Sequence, residues 1–159
     1  MFTPQPADVD RFFHGLAEYA FHTRLGVVDP PIVDYVADLL VRFVRQGPLV
    51  TPPARFGSTA ASDLVEAAGA GTGRDAVAAC RRIGDLSLFW SGLYPEALRS
   101  GPVAPFEQVC ETGRRAYRMA SELEPADAEA ERLLFVHLSH EYDVCVAGLG
   151  EVRRAWGEG

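Results

Sequence analysis

Between Arg74 and Ser91 the chain places Ala76, Cys80, Gly84, Ser87 and Ser91 at spacings of four, four, three and four. Residues three and four apart share one face of an α-helix, so these five small side chains form a single narrow stripe. A stripe without bulk allows a neighbouring backbone to approach closely. The helix of about 74–91 is therefore expected at the centre of the fold, packed by its Gly and Ser residues. Gly92 and Pro95 end it.

The rest of the chain repeats the helical period. Val9, Phe12, Phe13, Leu16 and Ala20 mark an apolar stripe on a helix from about Asp8 to Leu25, stopped by Gly26. Asp29 is suited to cap a second helix and Pro30 to open it. That helix, Ile32 to Arg45, is apolar at Ile32, Val33, Val36, Leu39, Leu40, Phe43 and Val44. Pro48, Pro52, Pro53 and Gly57 make 47–58 the longest loop. A weak helix, Ala60 to Ala68, runs into the glycine-rich linker 69–73, where Thr72 caps the central helix. Further helices are expected from Phe106 to Leu123 and, after Pro125, from Asp127 to Gly148 or beyond. No internal repeat or alternating strand pattern interrupts this. The expected fold is all-α: one domain over 1–159, a compact orthogonal or up-down bundle of five to six helices.

Charge and cysteine usage narrow the chemistry. The net charge is −7 and all 15 basic residues are Arg, because the chain contains no Lys. An acidic chain lacks the basic footprint of a general nucleic-acid binder. No apolar run approaches the roughly 20 residues needed to span a bilayer, so no membrane role is expected. Met1 to Asp10 carries Asp8 and Asp10 instead of a basic and then apolar leader, which reads as cytoplasmic. Cys80, Cys110 and Cys145 are far apart, each among apolar neighbours, and read as buried packing residues.

Four groups of polar residues could carry chemistry. His14, Glu18 and His22 share a stripe on the first helix, and His137, His140 and Glu141 share a side of the last. Imidazoles and a carboxylate at such spacings are transition-metal ligands when a second helix completes the set. The first stripe, however, lies opposite the apolar face, and the second lacks the Glu-x-x-His order of di-metal bundles. Asp85 lies one turn beyond Arg81 and Arg82 and reads as one half of an ion pair on the central helix. Arg114, Arg115 and Arg118 beside Glu111 read as a solvated face. The linker glycines follow a helix and have no Lys, which is not a phosphate loop. No Gly-x-Ser-x-Gly is present to place a nucleophilic serine.

Ile83-Gly84-Asp85-Leu86-Ser87-Leu88-Phe89, with Gly92 and Pro95-Glu96, resembles a motif of bacterial all-helical proteins of uncharacterised activity. Ala20 to Asp29 is similar to the same group. The resemblance covers about a quarter of the chain and implies the helical, bacterial reading, with no activity to transfer. Gly84, Asp85, Ser87, Ser91 and Gly92 are thus read as a packing motif. Without a catalytic constellation, the leading expectation is a non-enzymatic domain that binds a protein partner or itself. Phe56, Trp90, Tyr94 and Trp156 are its candidate interface residues, and no cofactor is favoured. The alternative is a metal- or small-ligand-binding protein using the histidines and carboxylates of the first and last helices.

Overall fold

In the computed structural model, which describes residues 6–45, 73–100 and 106–158, the chain forms helices and the turns between them. In order these are α1 (Pro6–Glu18), a π-helical turn (Tyr19–Arg24), α2 (Pro30–Arg45), α3 (Gly73–Leu93), α4 (Pro95–Ser100), α5 (Phe106–Leu123), α6 (Glu129–His140) and α7 (Tyr142–Glu158). The expected weak helix, the proline-rich loop with Phe56 and the linker glycines before Gly73 lie outside the described residues. The all-helical reading stands, and among the described residues no helix is long and apolar enough to cross a membrane.

The first helix departs from a simple α-helical stripe. Leu25 N–H donates to Ala20 O at 3.2 Å and Val27 N–H to Phe21 O at 2.8 Å, the wider spacing of a π-turn. Gly26 then reverses the chain at φ +69°, a conformation that costs a glycine nothing. The extra residue in the turn swings Phe21 fully inward against Gly148 of α7. A Cβ at Gly148 would overlap that ring, which explains why a glycine persists inside an unbroken α7.

Local rules account for the next elements. The Asp29 carboxylate accepts from Ile32 N–H at 3.4 Å, capping α2, and Pro30 opens its first turn. Ile32, Val36, Leu39 and Leu40 bury its apolar face, each contributing about 1.5–3 kcal/mol relative to exposure.

The central helix is α3, with α5 and α7 packed against it. Ala76, Cys80, Gly84, Ser87 and Ser91 are all buried. At Gly84 an added Cβ would lie 2.7 Å from the Tyr117 ring of α5, and at Gly92 it would lie 2.5 Å from Leu149 of α7. The small stripe thus receives two different neighbours, one towards each end.

The last helix differs from its expected single span. It breaks at Glu141, whose backbone leaves the helical region at φ −99° and ψ 20°, and α6 packs on α5 while α7 packs on α3. No Gly or Pro marks this break. The residue after it, Tyr142, is fully buried with its ring seated on Gly113 of α5.

Candidate functional site

Close approach at Gly84 positions the next residue, Asp85, beneath α5. Its carboxylate is only 3% exposed, yet every side of it is occupied. Tyr35 and Tyr117 donate their hydroxyls to Oδ1 at 2.6 and 2.7 Å. Arg42 Nη2 donates to Oδ2 at 3.0 Å, and Arg81 Nε lies 3.7 Å from the same oxygen. Arg81 Nε also donates to the Tyr35 hydroxyl at 3.1 Å, with its guanidinium over the Tyr35 ring. A buried carboxylate costs several kcal/mol unless paired and hydrogen-bonded, and here α2, α3 and α5 all contribute to pairing it.

Electrostatics fixes the protons of this centre. Burial, followed by the adjacent Asp85 charge, raises the Tyr35 and Tyr117 hydroxyls above the ordinary tyrosine range. Burial works against the Arg42 charge, but Asp85 outweighs it and raises the guanidinium. The phenols stay protonated and the Arg42 guanidinium charged near neutral pH, and the centre ties α2, α3 and α5 together. Pairing with Arg81 is what the sequence spacing implies. Arg42 and the two tyrosines come from other helices and were not legible as partners. One signal was present: Tyr35 and Arg42 are seven apart, on one side of α2 beside its apolar stripe.

The histidines do not converge. His14 Nδ1–H donates to Asp10 O at 2.9 Å and its Nε2 faces Asp38 of α2 at 3.4 Å. Glu18 and His22 are exposed, and the π-turn between them takes His22 out of a four-residue stripe. His137 lies 3.9 Å from Asp29, while His140 and Glu141 are exposed at the α6–α7 break. Among the described residues no three His, Cys, Asp or Glu side chains form a group able to hold a metal ion.

The other polar candidates are engaged locally. Ser139 donates to Arg114 O at 3.1 Å and makes no bond to His140. Arg114 pairs with Glu111 one turn before it and with Asp143 of α7. All three cysteines are free and buried, and burial pushes the Cys145 thiol up to about 12, far from the thiolate a nucleophile requires. Ser91 donates to Ser87 O at 2.7 Å and meets the Tyr142 hydroxyl at 3.1 Å. Ser87 Oγ and Trp90 Nε1 are buried without a hydrogen-bond partner among the described residues.

The expected interface residues separate. Trp90 is 2% exposed and sits in the core beside Phe89, so it presents nothing to a partner. Tyr94 is partly exposed, with Arg153 over its ring. Trp156 is 44% exposed and packs edge-on against Phe12 and Phe13. Phe12, assigned by periodicity to the buried stripe, is instead 48% exposed. The buried face of α1 instead runs through Phe13 and Ala17 and continues in Ala20 and Phe21 of the π-turn. Phe12 and Tyr19, two turns apart, are both about half exposed, and Phe12 lies against Trp156.

No family model, no curated protein and no solved structure matches this chain. The functional reading rests on the chemistry of its own surface.

Proposed function

We propose that this chain is a non-enzymatic helical interaction domain whose partner is a second copy of itself, bound through the outer face of α1. The observation that carries the reading is the exposed aromatic stripe of Phe12 and Tyr19 joined to Trp156, on a molecule whose other large aromatics lie mostly in the core. Contiguous exposed aromatics at regular spacing are a feature of interfaces.

The choice of a second copy follows from the charges that flank the stripe. Gly15, between Phe12 and Tyr19, is exposed and has no neighbour within 4 Å of where a Cβ would stand. Two α1 helices crossing antiparallel at Gly15 bring their backbones close. Arg11 and Glu18 lie two turns apart on one flank of the stripe, and neither has an ion-pair partner among the described residues. In an antiparallel pair like flanks face one another, so Arg11 of each copy meets Glu18 of the other. The face is thus complementary to itself, as a two-fold interface requires.

Light-scattering mass across a concentration series tests this. The expected result is a shift from 17.3 kDa towards twice that value, abolished by Phe12→Asp with no loss of helicity. A mass that stays monomeric throughout, or a Phe12→Asp variant that associates like the parent, would overturn it.

A further inference from the structure

A second surface feature lies away from α1. The turn after α5 (124–128) and the first half of α6 form one wall of a cleft of about 610 Å³, and α3 forms the other. Its floor is apolar, with Val77 and Phe135 buried beneath it and Leu134 partly so.

The two walls carry opposite charge. Arg74 and Arg81 stand two turns apart on the α3 wall, and Glu124, Asp127 and Glu131 stand on the other. No ion pair among the described residues joins these walls, although long side chains of opposite sign face one another across the gap. Arg81 in particular is held in place from behind. Its Nε is bound to the Tyr35 hydroxyl beside Asp85 and its plane rests on the Tyr35 ring. Both of its Nη atoms are left without a protein acceptor among the described residues. A guanidinium fixed in this way loses little further freedom on meeting a carboxylate. Glu124 is half-buried, and burial followed by the Glu131 charge raises its carboxyl, while Arg74 and Arg81 act in the opposite sense.

We infer that this cleft binds a short zwitterionic peptide, its carboxylate on Arg81 and Arg74, its ammonium on Glu124 and Glu131, and its apolar side chains on the Val77–Phe135 floor. A purely anionic ligand would face the carboxylate wall, and a purely cationic one the arginines. A cleft of several hundred Å³ with an apolar floor and a few convergent polar groups has the dimensions of a small-molecule site.

Titrating leucyl-leucine into the folded protein, with amide chemical shifts as the readout, tests the assignment. Saturable shifts confined to Val77, Ala78, Leu134 and their neighbours are expected. Acetylating the peptide's amine or amidating its carboxylate should each weaken binding by about ten-fold, as loss of a charge-assisted pair does. Arg74→Gln and Glu124→Gln, which lie outside the Asp85 brace, should weaken it similarly and leave the thermal midpoint unchanged. Absence of saturable shifts, shifts elsewhere on the surface, or equal binding of both blocked peptides would each overturn the proposal.

Discussion

The Asp85 centre and the outer face of α1 solve opposite problems. At Asp85 a charge is buried to 3% exposure and every oxygen is paired, by side chains drawn from three helices. On α1 and at the start of the π-turn two aromatic rings, Phe12 and Tyr19, are left about half exposed, and the flanking Arg11 and Glu18 have no ion-pair partner among the described residues. A polar group hidden at such expense and then fully satisfied reads as a brace. An apolar group left in water reads as a surface awaiting contact. The residue most like an active-site carboxylate lies within a fully paired cluster, whereas Phe12, expected in the core, is about half exposed.

Breaking the brace should therefore cost stability, and altering the face should not. Gly84→Leu is expected to have the largest effect, because the Cβ alone would lie 2.7 Å from the Tyr117 ring. Displacing that ring also removes a hydrogen bond to Asp85, so overpacking and the lost bond together amount to at least about 3 kcal/mol. Chemical denaturation will show this as a large drop in midpoint, and a parent-like midpoint would refute close packing at Gly84.

Asp85→Ala should follow, at about 3 kcal/mol, towards the lower end for a broken buried pair because Arg42 and Arg81 are half exposed and regain water. Tyr35→Phe removes one donor to the carboxylate and should cost about 1–2 kcal/mol. The same tyrosines set an alkaline limit. Their folded-state pKa values lie above the ordinary 10.0, so the folded state holds protons that the unfolded chain releases. Their contribution is complete below about pH 10 and is lost as pH rises beyond it. Tyrosinate absorbance followed alongside helicity should show Tyr35, Tyr117 and Tyr142 ionising with unfolding, and Tyr35→Phe should make that decline shallower.

Much of the fold was legible, and the reasons differ by element. Helix α5 falls where Pro105, the apolar period and Pro125 place it, and α2 begins where Asp29 and Pro30 dictate. These are local signals. The break at Glu141 and the π-turn at Tyr19 have no local signal; beside them Tyr142 is buried on Gly113 and Phe21 on Gly148, contacts far apart in the chain. The sequence period put Phe12 in the buried stripe, whereas the core takes Phe13 and Ala17 of α1, and the π-turn removes His22 from the His14–Glu18–His22 stripe. For Asp85, neighbours on its own helix revealed Arg81, while Tyr35, Arg42 and Tyr117 arrive only through packing.

Substitutions on the α1 flank are expected to change stability least, within about 0.5 kcal/mol for exposed positions. They nevertheless test the central claim most directly. The measurement is solution mass by sedimentation for Arg11→Glu, Glu18→Arg and the double variant. Either single reversal sets like charges against each other and should leave a monomer of about 17.3 kDa, while the double reversal restores the pairs and the dimer. Single variants that associate like the parent, or a double variant that remains monomeric, would contradict the account.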